Sequence, residues 1–350
     1  MSSIFFTTPP RVRLFAACAR ASAHGGNFDE RGDDDYNAIE RAISSILESA
    51  PETLSSVEEN GVTPLMVAVE ANNVAAVDAL CRFARKEGET KGFVECESIA
   101  LDQTALIVAS SLGHEKCVKK LVGEYGADAN QITKIGGRTA MMAACENDKP
   151  EIVVLLKEKF GANVNLEVKK SSIVRDVDDD DDDEEEEEEG EPFYSNAMLH
   201  ACANNAVASI HALHHCGANL DFENDKELFP ILVASQSGAT EAVEALVALG
   251  ADANSWGMTT GVSPLLVAIL AKDEKTAKVL VEQGKVDVNV CGPLGRTIFC
   301  ECAARGDVDA MKLCRKLGGR LTLETPTGSC LLYTSPSPRD QRGSRMPSSA

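Results

Sequence analysis

The residues most able to do chemistry cluster in LHACANNAVASIHALHHCG, which holds His200, Cys202, His211, His214, His215 and Cys216. His211 with His214 or His215 is spaced i,i+3 or i,i+4, so two imidazoles on one helix could share a metal ion. Sharing needs both rings turned toward a common centre, and the run supplies no further ligand at a usual zinc spacing. Cys300 and Cys302 in CEC stand closer together than zinc pairs do. The sequence contains no phosphate-binding GxxxxGK[ST] loop, no GxSxG elbow and no HExxH pair. These residues therefore predict no enzyme, no cofactor and no metal.

The other chemically loaded stretch is DVDDDDDDEEEEEEGE, from Asp176 to Glu191. Twelve consecutive acids repel one another and cannot be buried, so the segment is expected to be disordered. One reading is a docking strip for a basic protein or peptide, carried by Asp178, Asp180, Asp183, Glu184, Glu187 and Glu189. The other is a solvating spacer. Calcium capture fits poorly, because a uniform run lacks the turn glycine and mixed ligands of a calcium loop. The formal charge of −21 falls to −7 once the fourteen acids of this stretch are set aside. A mildly acidic remainder argues against a nucleic-acid surface.

The chain of 350 residues is 44% hydrophobic but only 5% aromatic. Its core must be built from small aliphatic side chains, which suits closely packed short helices. Twelve cysteines without finger spacing read as reduced, buried residues of an intracellular protein, most simply a cytoplasmic one. No apolar run approaches the roughly 20 residues of a membrane span. Residues 1–28 lack acids but contain Arg11, Arg13 and Arg20, so an organellar leader competes there with a first structural unit.

The elements that carry these residues repeat. GVTPLMVAVEANN from Gly61, DQTALIVASSLGH from Asp102, GRTAMMAACENDK from Gly137, NAMLHACANNAV from Asn196, LFPILVASQSGA from Leu228, VSPLLVAILAKD from Val262 and RTIFCECAARGD from Arg296 align with one another. Starting positions read as Thr63, Thr104, Thr139, Ala197, Phe229, Ser263 and Thr297 give gaps of 41, 35, 58, 32, 34 and 34. Each unit predicts a short helix, a breaker about nine residues on, a second amphipathic helix such as that bearing Val118, Leu121 and Val122, and a glycine stop at Gly126, Gly161, Gly217 or Gly250. Neither helix can bury its apolar face alone, so units must stack. The two long gaps require insertions after the first and third units.

Seven such units in register resemble the ankyrin repeat family, over about Gly61 to Leu323 apart from the acidic insertion. The match is to the pattern rather than the full signature, since full TPL stands only at Thr63 and only one unit keeps the signature LH, at Leu199-His200. The resemblance implies an all-α solenoid with short β-hairpin fingers and gives His200 a structural role. It also implies non-catalytic protein–protein recognition by a monomer, through the concave face and finger tips. Carried over by position, the contact residues are Glu70, Ser111, Glu146, Asn147, Asn204, Asn205, Gln236, Ser237, Leu270 and Arg305, joined by Trp256 and Met258 at one tip. Trp256 could alternatively pack on the neighbouring turn.

The expected organisation is a disordered start at 1–10, a divergent capping repeat at 11–58 and repeats at 59–170. An acidic insertion at 171–195 and further repeats at 196–329 follow. Residues 330–350 break the rhythm. LLYTSPSPRD and SRMPSSA resemble, in order and in one frame, translated pieces of a sequencing adapter. The tail is therefore expected to be adapter-derived, with the native chain continuing past Ser329. If it does, the repeats could be the targeting module of a larger enzyme or channel.

Overall fold

The computed structural model describes residues 9–19, 33–55, 57, 61–98, 100–169 and 194–320. The acidic residues Asp178, Asp180, Asp183, Glu184, Glu187 and Glu189, and the tail 330–350, lie outside them. Two compact units divide the chain, the first ending at Asn219 and the second beginning at Leu220.

The first unit contains five helix pairs. They are α1 (Pro10–Ala19) with α2 (Asp33–Ser49), α3 (Pro64–Glu70) with α4 (Val74–Glu87), and α6 (Ala105–Leu112) with α7 (Glu115–Gly123). The others are α8 (Ala140–Glu146) with α9 (Pro150–Val154), and α10 (Ala197–Ala203) with α11 (Val207–His215). A short α5 (Thr90–Val94) follows α4, and α9 runs on into a π-helical turn, Leu155–Lys159. Inner helices pack in the order α1, α3, α6, α8, α10, and outer helices in the order α2, α4, α7, α9, α11. The second unit contains α12 (Pro230–Gln236) with α13 (Thr240–Leu249), α14 (Pro264–Leu270) with α15 (Glu274–Glu282), and α16 (Ile298–Ala304) with α17 (Val308–Lys316).

Side-chain capping sets the register. Thr63, Thr104, Thr139, Asn196, Ser263 and Thr297 each accept a hydrogen bond from the backbone N–H three residues on, at 2.9–3.3 Å. The fourth unit therefore starts at Asn196, one residue before the Ala197 expected from alignment. The Asn side chain does the capping there, and the adjoining gaps become 57 and 33. Phe229 is the exception: it has no capping side chain and is buried instead. Five residues after each cap stand Ala68, Ala109, Ala144, Ala201, Ala234, Ala268 and Cys302, all fully buried. These small side chains let neighbouring inner helices approach closely, which is how a core with so few aromatics packs. Helices of seven or eight residues are too short to persist alone, so this stacking supplies their stability.

Nine residues after each cap the backbone is left-handed, at Asn72, Gly113, Asp148, Asn205, Gly238, Lys272 and Gly306. That turn sends the second helix back along the first, and glycine is needed at none of the four positions that lack it. The fingers carry little regular β-structure. One two-residue antiparallel ladder, β1 (Glu97–Ser98) with β2 (Gln103–Thr104), and one bridge between Cys291 and Thr297 are present among the described residues. Elsewhere a single backbone bond closes the finger, as from Thr133 N–H to Arg138 C=O at 3.0 Å and from Gly257 N–H to Val262 C=O at 2.8 Å. The same kind of bond, Val168 N–H to Ser195 C=O at 2.8 Å, joins the two sides of the acidic insertion.

Candidate functional site

The C-terminal ends of the inner helices carry most of the residues expected to meet a partner. In the first unit Glu70, Ser111, Glu146 and Asn147, and Asn204 end the stacked helices α3, α6, α8 and α10, so packing brings them along one edge. Asn147 and Asn204 are exposed, and their Nδ2 groups donate to the backbone carbonyls of Ala143 and His200, both at 3.0 Å. Ser111 Oγ donates to Val108 C=O at 3.0 Å. Asn205 is the left-handed turn residue of its unit, the counterpart of Gly113 rather than of Asn147. In the second unit Gln236, Ser237 and Arg305 are exposed at the same structural position, and Leu270 is half-buried.

Glu146 is already occupied. His200 Nδ1 lies 2.9 Å from its Oε1, and Arg138 donates to its Oε2. Burial opposes the charge of Glu146, but the His200 hydrogen bond and the Arg138 guanidinium beside it hold its carboxyl below the usual range. The other ring nitrogen of His200 meets Tyr194 C=O at 3.1 Å. His200 thus links two repeats across the acidic insertion.

The edge deepens into a cleft between α3 and α6 and their fingers. Val62, Met66, Leu101, Val108 and Leu112 form its apolar wall, and Glu70, Gln103 and Ser111 its polar rim. It encloses about 270 Å³. Leu101 and Leu112 are each 43% exposed, and Ile135 on the next finger is 46% exposed. Adjacent fingers touch beside it: Thr133 Oγ1 donates to Asp102 Oδ2 at 2.9 Å, and a Cβ at Gly136 would stand 2.2 Å from that oxygen. Sequence reasoning missed Leu101 because it sits in the out-of-register insertion, where no alignment places it.

Trp256 and Met258 point to different ends at their shared tip. The Trp256 ring lies against Gly292 of the next finger, where a Cβ would come within 2.5 Å, so packing claims the indole. Met258 projects and is 68% exposed. Beneath, the Glu227 carboxylate accepts bonds from the N–H and hydroxyl groups of both Thr259 and Thr260.

A second site escaped the sequence reading. Asp78, on the apolar face of α4, is fully buried. It accepts from Tyr36 of α2 and, at 2.8 Å, from Tyr125 beyond α7, while Lys120 Nζ stands 3.1 Å away. Burial and then the bond to Asp78 push both tyrosine hydroxyls well above their usual range. An acid placed among Val77, Leu80 and Cys81 was the available signal. The Asp78 carboxylate is closed to solvent and ties three outer helices together through partly exposed Tyr36 and Lys120.

Among the described residues no group of His, Cys, Asp and Glu could hold a metal ion. His211, His214 and His215 are exposed. Burial pushes the Cys117 and Cys314 thiols up to about 12 and Cys302 up to about 11, so these side chains carry almost no thiolate at neutral pH.

A family model described as ankyrin repeats, three copies, matches residues 33–133, 88–168 and 198–291. The chain belongs to the ankyrin repeat family. Members of this family are generally protein–protein interaction modules, and such domains are typically non-catalytic. The human ASB11 ankyrin repeat domain is one solved structure to which the chain is similar, at 20% identity and a TM-score of 0.47, over 68% of this chain and 96% of that one. No curated protein matches the chain. No helix among the described residues is long and apolar enough to cross a membrane.

Proposed function

We propose that this ankyrin repeat protein is a non-catalytic recognition scaffold that holds a protein partner along the inner-helix edges and finger tips. The single observation that carries the reading is the cleft between α3 and α6, where apolar surface stands open beside Glu70 and Ser111. Exposed apolar surface rimmed by polar groups marks interaction sites. Ser111, Asn147 and Asn204 have side chains braced by local backbone bonds, so little rotamer entropy is lost when they meet a partner. Gln236, Ser237, Leu270, Met258 and Arg305 extend the proposed contact set within the second unit. Glu146 and Trp256 support the surface rather than reach from it, and Asn205 shapes the turn.

The acidic run from Asp178 to Glu189 has a separate reading, as a docking strip for a basic protein. The Val168–Ser195 bond favours it, because the run leaves and re-enters the fold at one finger of the first unit.

Arginine at Ser111, Asn147 and Gln236 together, compared with glutamate at Lys119 and Lys278 on outer helices, tests the groove reading. Affinity capture with quantitative mass spectrometry should lose partners from the first variant only. Partners kept by the first variant and lost by the second would sink it. Deleting 176–191 should remove salt-sensitive binding of a Lys-rich peptide if the acidic strip docks one.

A further inference from the structure

We infer that the cleft between α3 and α6 takes one large apolar side chain of an extended peptide whose neighbouring residue is Lys or Arg. The inference rests on the groove reading above and deepens it. At about 270 Å³ the cleft lies below the roughly 300–1,000 Å³ of small-molecule sites, but it accepts a single leucine- or phenylalanine-sized side chain. Its floor is buried Met66, a side chain that adapts to the shape placed on it. Leu101 and Leu112 stand open on either side.

Charge selects the neighbour. Glu70 is the one ionisable residue among those lining the cleft, it is exposed, and its carboxylate makes no ion pair among the described residues. Glu146, two repeats further along the same edge, differs in being paired with Arg138 and hydrogen-bonded to His200. An anchored apolar residue therefore brings the adjacent peptide residue to an unanswered negative charge at the rim. A cation there forms a pair beside excluded water, whereas an acid is repelled. The formal charge of −21 draws basic segments toward the protein from a distance.

The test uses the full chain and short synthetic peptides in a Gly/Ser background. Each carries Leu or Phe next to Arg, next to Glu, or next to Gln, and binding is read by fluorescence anisotropy. The Arg-flanked peptides should bind at least ~10-fold more tightly than the Glu-flanked ones, the weight of one well-placed charge contact. Glu70→Lys should reverse that order, and lysine at a helix C-terminus is a benign substitution. Leu112→Asp, on an exposed position, should weaken every peptide ~10-fold or more, as loss of an anchor site does. Circular dichroism and the melting temperature establish that both variants fold. Peptide binding that ignores Glu70→Lys and Leu112→Asp but is lost with arginine at Asn147 and Gln236 overturns this inference and leaves the groove reading standing. Binding that ignores all of these substitutions overturns both. A concentration-dependent dimer by sedimentation that Leu112→Asp abolishes would make the occupant a second copy of this chain and overturn the peptide assignment.

Discussion

The two units solve the same stacking problem differently. From Leu220 onward the caps are 34 residues apart, and charge is kept at the surface. Glu227 staples two fingers, Glu274 sits between Lys278 at 2.7 Å and Lys316 at 2.6 Å, and Asp273 caps α15 through the N–H groups of Lys275 and Thr276. Up to Asn219 the cap spacing is broken by two insertions, and charge is taken inside. Asp78 joins α2, α4 and the end of α7, and Glu146 joins two repeats through His200. Regular repeats hold together by identical neighbours. Where an insertion interrupts the period, a buried or half-buried carboxylate supplies a link that repetition no longer provides. The open apolar cleft lies in the irregular unit, where the first insertion adds α5 and Leu101.

The largest expected effect breaks that contrast. Asp78→Ala leaves two tyrosine hydroxyls and Lys120 without their buried acceptor, and should cost roughly 3–5 kcal/mol, as removal of one partner from a buried charged pair does. Chemical denaturation followed by hydrogen exchange should locate the loss in helices before Asn219. An equal loss in α12 to α17 would erase the distinction between the units. The next effect is smaller and compares caps. Thr139→Ala should cost about 1 kcal/mol through the lost bond to Met142 N–H. Phe229→Ser restores a cap of similar worth but removes a buried ring worth about 2 kcal/mol, so it should destabilise on balance.

A third prediction concerns acid. Four donors from Thr259 and Thr260 hold the Glu227 carboxyl down at about 2. Its folded value is depressed, so the staple contributes fully above the ordinary glutamate value of about 4.3 and is lost as pH falls through about 2. An NMR titration of the Glu227 carboxyl carbon, with the Thr259 and Thr260 amides as reporters, should show a midpoint well below the ordinary glutamate value. The smallest effect is expected at the exposed Lys312–Asp309 pair, where Asp309→Asn should leave the melting curve unchanged.

Much of this architecture was legible in the sequence, and the reasons are local. Thr63, Ser263 and Thr297 announce caps because a hydroxyl before an apolar run has one good use. Gly113, Gly238 and Gly306 announce turns because glycine takes that backbone angle without strain, whereas Asn72, Asp148, Asn205 and Lys272 take it unannounced. Asn196 was misread by one residue because alignment weighed the apolar run more than the capping group. The short fingers were legible too, and among the described residues they close by one two-residue ladder, one bridge or a single backbone bond. The candidate site was legible as an edge but not as a cleft. Inner-helix ends follow from periodicity, whereas the place of Leu101 beside Glu70, the bond of His200 to Glu146 and the Asp78 hub join residues 31 to 54 apart in sequence. No local pattern encodes those.

The central claim is that partners lie along the inner-helix edges. Photo-crosslinking side chains placed singly at Ser111, Asn147 and Ser237, and for contrast at Lys119 and Lys278 on outer helices, test it most directly in cells. The account predicts covalent protein adducts from the first three positions and few from the other two. Adducts confined to Lys119 and Lys278 would contradict it.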